Sequence, residues 1–148
     1  MPVRLSIALV FAMLQLAVLG ADQSPILTGA WTLEAAAAEG VTADGGNWSL
    51  GALSGTLTLE QKGEAVTGSW KGRHPDPWPL TGRLQGTAFE VQTEAREMPA
   101  TRNGEKFMVS RSWIFRGRIE GDKLTGSMSL IGGEGDPPTQ PFSAVRSR

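Results

Sequence analysis

The sequence predicts an all-β chain: an eight-stranded antiparallel up-and-down barrel or, failing closure, a meander β-sandwich. Three observations carry this. Short runs of alternating apolar and polar residues are separated by turns throughout, with 19 Gly among 148 residues, and closely spaced turn signals between short strands mark sandwiches and barrels. Glycine recurs on the apolar face of those runs. The connections between runs alternate long and short along the chain.

The N-terminus stands apart. Arg4 is the only charge before Asp22, an apolar run extends from Leu5 to Leu19, and Gly20-Ala21 precedes the polar Asp22-Gln23-Ser24. A charged start, a short apolar stretch and a small-residue exit make a secretory signal peptide, and the run is shorter than the roughly 20 residues of a membrane span. The expected organisation is residues 1–21 as signal peptide and residues 22–148 as a single exported domain, periplasmic or extracellular, with no stable membrane span after cleavage. A chain of that length suits one core.

Eight strands follow: Gly29 to Ala35, Ala52 to Gln61, Glu64 to Lys71, Trp78 to Gln85, Thr87 to Glu94, Phe107 to Ile119, Lys123 to Ile131 and Gln140 to Arg146. Successive side chains of a strand point to opposite faces. Leu53, Leu57 and Leu59 therefore oppose Ser54, Thr58 and Glu60. Trp113, Phe115 and Ile119 oppose Ser112, Arg116 and Arg118. Leu124, Met128 and Leu130 oppose Thr125, Ser127 and Ser129. One face is dry and the other wet, as a sheet with one buried side requires. Gly55, Gly68, Gly82, Gly117 and Gly126 fall on the dry face, where glycines permit the bends that closing a small barrel needs. The four-alanine stretch within Glu34 to Glu39 reads as a single helical turn or as the end of a strand.

The connections carry the functional signal. The odd ones are long (Ala36 to Gly51, Gly72 to Pro77, Ala95 to Lys106, Gly132 to Thr139), and the even ones are tight (Lys62-Gly63, Gly86, Glu120 to Asp122). In a meander, alternate connections lie at opposite ends. One end is then closed by hairpin turns, and the other carries every elaborate loop and is the candidate working face.

Composition narrows the function. The net charge is −1, with 14 Lys+Arg against 15 Asp+Glu and no basic tract, which argues against nucleic acid as partner. Cys is absent, which excludes disulfides, thiolate nucleophiles and Cys metal sites. His74, the sole histidine, lies in Arg73-His74-Pro75-Asp76-Pro77-Trp78-Pro79 without a serine to complete a triad or further ligands for a metal. Glu94, Glu97 and Glu105, and then Glu134 and Asp136, form no spacing that favours glycoside hydrolysis. No catalytic set, metal site or cofactor is expected.

Gly29-Ala30-Trp31 opens the first strand and Arg146 closes the last. A Gly-X-Trp start with a C-terminal Arg resembles the structural signature of lipocalins and related calycin barrels, the avidin-like ones included. The resemblance implies that Trp31 and Arg146 form a barrel-end pair, with the Trp capping the closed end and the Arg lying across it. It also implies that the first long connection acts as a lid. The chain is shorter than a lipocalin, lacks a counterpart of its C-terminal helix, and shows no traceable biotin-binding pattern. The hairpin style is also similar to that of small exported bacterial β domains of unassigned function.

At the loop-bearing end, Trp48, Trp78 and Met98 are expected to offer contact area to a small apolar or amphipathic ligand. Arg73, Arg96 and Arg102 would orient a polar or acidic head. The alternative for the two tryptophans is that they fold back and plug the barrel, which eight strands can nearly fill with side chains. The alternative function is a protein-binding module, such as an inhibitor of an exported enzyme, that presents the same loops to an exported protein partner.

Overall fold

A computed structural model describes residues 26–42, 45–133 and 136–148. The segment read as a signal peptide lies outside the described residues. The strands in chain order are β1 (Gly29–Ala35), β2 (Ala38–Val41), β3 (Asn47–Leu50), β4 (Leu53–Lys62), β5 (Ala65–Lys71), β6 (Trp78–Gln85), β7 (Ala88–Thr93), β8 (Arg96–Arg102), β9 (Glu105–Glu120), β10 (Lys123–Ile131) and β11 (Thr139–Arg146). Antiparallel ladders run β1-β4-β5-β6-β7-β9-β10-β11 and return from β11 to β1. The sheet is therefore a closed eight-stranded barrel rather than a sandwich, and no helix occurs among the described residues. Closure removes the free edges that a sandwich would leave.

Glycine chemistry sets the tight end. The pairs Lys62↔Ala65, Gln85↔Ala88 and Glu120↔Lys123 leave two-residue turns, Gly63-Glu64, Gly86-Thr87 and Gly121-Asp122. In each turn only the first residue has a positive φ, of 62°, 60° and 59° respectively. That is the type II′ hairpin turn, whose twist matches the flanking strands. The long connections all lie at the opposite end, as the alternation of lengths predicts.

Two of those connections are more ordered than loops. β2 and β3 pair with each other as a separate two-stranded flap. Trp48 lies directly across from Gly40, whose position has no room for a side chain: a Cβ there would sit 2.5 Å from the indole Cζ2. The alanine run is thus the end of β1 and the start of β2, not a helical turn. The fifth connection becomes β8, which pairs with the first half of the 16-residue β9. Asn103 and Gly104, with φ of 52° and 78°, form the turn between them, as a type I′ turn demands. This β8–β9 ribbon carries the barrel wall beyond the mouth.

The lumen is filled. Leu33, Leu57, Leu80, Val91, Phe115, Leu124 and Met128 are almost fully buried. Trp70 meets Phe115 at 5.3 Å between ring centroids, Phe115 meets Phe142 at 5.9 Å, and Phe89 meets Phe142 at 6.5 Å. These rings come from β5, β7, β9 and β11, so side chains from well-separated walls touch across the barrel, at spacings that favour tilted aromatic pairs. The inward glycines fit the same picture. A methyl at Gly82 would overlap the Glu90 carbonyl of the neighbouring strand, and one at Gly126 would overlap that of Arg116. Backbones approach there more closely than any side chain allows.

At the tight end Trp31 is fully buried, and its Nε1–H donates to the Leu27 carbonyl at 2.8 Å. The Arg146 guanidinium lies 4.2 Å from the Trp31 ring centroid. It donates to Asp122 Oδ1, Thr28 O and Ile26 O at 2.8, 2.6 and 2.7 Å. Gly29 has a φ of 140°, and a Cβ there would lie 2.9 Å from Arg146 Nη1. The glycine of the Gly-X-Trp start is needed for both the backbone conformation and the path of the guanidinium.

At the other end the flap is fastened by Gln140. This residue is fully buried, and its Nε2–H2 donates to Ala36 O at 3.0 Å and Gly51 O at 3.3 Å, the two stems of the flap. The carbonyl Oε1 has no hydrogen-bond partner. Replacing Gln140 by Met removes two hydrogen bonds but also an unsatisfied buried acceptor, effects of opposite sign and of about 1–3 kcal/mol each. Global stability should move by less than about 1 kcal/mol, while amides of β2 and β3 should exchange at least tenfold faster by mass spectrometry. Unchanged flap exchange would show that Gln140 does not hold the stems.

Candidate functional site

The flap, the inner face of the β8–β9 ribbon and the last connection frame a cleft of about 580 Å³ at the open end. Its apolar wall includes Trp48 from β3, Phe107 from β9, Leu130 from β10, and Pro137 and Pro138; Arg102, Arg111 and Asp136 supply charge. Strand alternation explains the ribbon's share. Pairing sets Arg96 opposite Arg111, Met98 opposite Val109 and Ala100 opposite Phe107. These pairs share the face that continues into the barrel through Trp113 and Phe115. Phe107 is 42% exposed although it sits on that inner face, and Arg102 lies 5.9 Å from its ring centroid.

The sequence-predicted site residues do not converge. Trp48, half-buried, and Arg102 line the cleft. Trp78 is 5% exposed and belongs to the core, so it plugs the barrel rather than lining its mouth. Arg96 covers Trp78, 4.8 Å above the ring, and donates to Pro77 O at 2.7 Å and Asp76 O at 3.4 Å. Its hydrogen-bonding capacity goes to pinning the third connection. Met98 is partly buried and packs on the core. Arg73 lies in a separate shallow groove beside Glu34, Ala52 and Leu53 and donates to Ala52 O at 2.9 Å.

The sequence reading missed Phe107, Arg111, Leu130, Pro137 and Pro138. The signal for the first two was present. Asn103-Gly104 between alternating runs marks a hairpin, and pairing Arg96–Arg102 with the start of the strand assigned from Phe107 would have carried Phe107 and Arg111, which share a face with Trp113, beyond the barrel mouth.

The chain is a closed eight-stranded meander with a Trp–Arg pair across its tight end. Among solved structures it is similar to apo shwanavidin, at 17% identity and a TM-score of 0.50, over 82% of this chain and 97% of that one. The fold is that of an avidin-like eight-stranded barrel. Short afifavidin in complex with biotin, at 16% identity and a TM-score of 0.41, covers 82% of this chain and 92% of its own. Rhizavidin, at 17% identity and a TM-score of 0.41, covers 76% and 84%. No protein-family profile and no curated protein matches the sequence. The lipocalin-like expectation therefore holds at the level of a closed eight-stranded antiparallel barrel and no finer.

Groups with reactive potential are scattered. His74 is exposed, and its Nδ1 accepts from the Asp76 N–H at 3.4 Å within the proline-stiffened turn. Glu94, Glu97, Glu105 and Asp136 are exposed, and Glu134 lies outside the described residues. Among the described residues no three His, Cys, Asp or Glu side chains group as a metal site.

Proposed function

We propose that this protein is an exported, non-catalytic binding barrel that takes a small apolar or amphipathic ligand at its open end. The observation that carries the reading is the cleft itself. It is concave, walled by an indole, a phenyl ring, a leucine and two prolines, and held between two hairpins that the sequence builds for no need of barrel closure. Its size falls within the range of small-molecule pockets, about 300–1,000 Å³. The ligand sits outside the lumen, because the lumen is occupied by the protein's own rings.

A fluorescence titration of the mature protein with a neutral lipophilic probe tests this. Saturable binding near one probe per chain is expected, weakened about tenfold in a Trp48→Ala, Phe107→Ala variant, because burial of two aromatic contacts is worth at least the ~1.4 kcal/mol of a tenfold change. A flat titration with the folded wild-type protein would reject the reading.

A second reading is favoured by a separate observation. Val41 is 68% exposed and Met108 59% exposed, one on each hairpin. Apolar side chains presented on projecting hairpins suit a protein partner, such as an exported enzyme that the barrel inhibits. Under that reading, Val41→Asp with Met108→Asp would abolish capture of one stoichiometric partner and leave probe binding intact.

A further inference from the structure

We propose that the open-end cleft is a carboxylate site, with Arg111 as the residue that selects an amphipathic monocarboxylate over its neutral counterpart. The inference rests on the small-ligand reading above and names the ligand class.

Arg96 and Arg111 lie directly opposite in the β8–β9 ladder, on the same inner face. Like charges at such positions repel one another, and an anion beside them relieves that repulsion. The two arginines differ in what they have left to give. Arg96 is committed to the Trp78 ring and to the carbonyls of Asp76 and Pro77.

Arg111 is half-buried and lines the cleft. Its guanidinium packs along Gly133, where a Cβ would come within 2.9 Å of Nη1. Among the described residues it makes no hydrogen bond or ion pair. A guanidinium carries five N–H donors in a planar fork that matches a carboxylate in bidentate geometry. Leaving such a group partly desolvated and unengaged is costly, and an incoming carboxylate removes the cost.

The rest of the cleft fixes the shape of the ligand. Trp48 and Phe107 give the apolar body two aromatic surfaces on opposite banks, the flap and the ribbon. Asp136, also on the rim, disfavours a second negative charge, so the class is a monocarboxylate with an aliphatic or aromatic tail. Arg102 is on the same rim, set against Phe107 and engaged elsewhere, and acts as part of the wall.

The test uses a matched pair of probes, decanoate and decan-1-ol, titrated calorimetrically against the wild-type mature protein and the variants Arg111→Gln, Arg111→Lys and Arg102→Gln. Wild type is expected to bind decanoate at least tenfold tighter than decanol, with the ratio falling as ionic strength rises. Arg111→Gln brings the ratio to about one and leaves decanol affinity unchanged. Arg111→Lys restores only part of it, because an ammonium lacks the planar fork. Arg102→Gln retains most of it.

Equal binding of the two probes by wild type, or a preference that survives Arg111→Gln, overturns the inference while decanol binding keeps the small-ligand reading. Failure of both probes to bind overturns both. Circular dichroism of Arg111→Gln separates lost recognition from lost fold, and the unchanged decanol affinity is the internal control.

Discussion

Gly82→Ala is expected to cost about 3–4 kcal/mol or to prevent folding, from a change of one methyl group. A Cβ at this position would overlap the Glu90 carbonyl oxygen of β7 and lie 2.6 Å from the Val91 Cα. Both are backbone atoms of the paired strand, with Gly82 directly opposite Val91, so no rotamer change can make room. The ladder between β6 and β7 itself must open.

Overpacking normally costs about 1–3 kcal/mol when side chains can shift, and a backbone clash belongs above that range. The total stability of such a domain is about 5–15 kcal/mol, so the loss is a large fraction of the whole. Gly51→Ala provides the control: a Cβ there meets nothing within 4 Å, and the expected change is within about 0.5 kcal/mol. Urea denaturation of both variants decides the matter. Equal midpoints would mean that the barrel is less tightly coiled than the ladder geometry requires.

The inward glycines also show how much of this fold the sequence could disclose. Strand periodicity located β1, β6 and β10 to the residue and the other barrel strands to within about two, because alternation and turn glycines are local signals. The alternation of loop lengths assigned every long connection to one end, because in a meander that follows from counting. What stayed hidden depends on contacts distant in sequence. The flap is joined by Trp48 lying across Gly40, a pairing that no period of two announces.

Trp78 was legible as an aromatic beside a loop. Its burial depends on Arg96, 18 positions later, folding over the ring and fastening the chain at Asp76 and Pro77. Arg111 already lies within the strand assigned from Phe107 to Ile119, but the β8–β9 pairing that carries it beyond the mouth depends on a hairpin that the sequence reading treats as a loop, and of the three arginines named only Arg102 lines the cleft.

The tight end gives the other large expected effect. Trp31→Ala should destabilise the protein by about 3–5 kcal/mol, the range for removing a large buried aromatic. Three contributions combine. The indole is fully buried at the barrel floor. Its loss leaves the Leu27 carbonyl without its donor, and Leu27, itself fully buried, belongs to the short segment that closes the floor. The Arg146 guanidinium loses the ring beneath it.

Arg146→Met, combined with Trp31→Ala, isolates the last contribution. A methionine follows the same path but carries neither the charge over the indole nor the three N–H bonds to Asp122, Thr28 and Ile26, and the bonds common to both arms of the cycle cancel. A double-mutant cycle on stability should therefore return a coupling of about 1–2 kcal/mol, the magnitude of a cation–π contact that is largely desolvated. A coupling near zero, with both single variants destabilised, would mean that Trp31 and Arg146 support the floor separately. The arginine would then act through its backbone carbonyl partners, and its position across the indole would be a consequence of those bonds rather than a cause of stability.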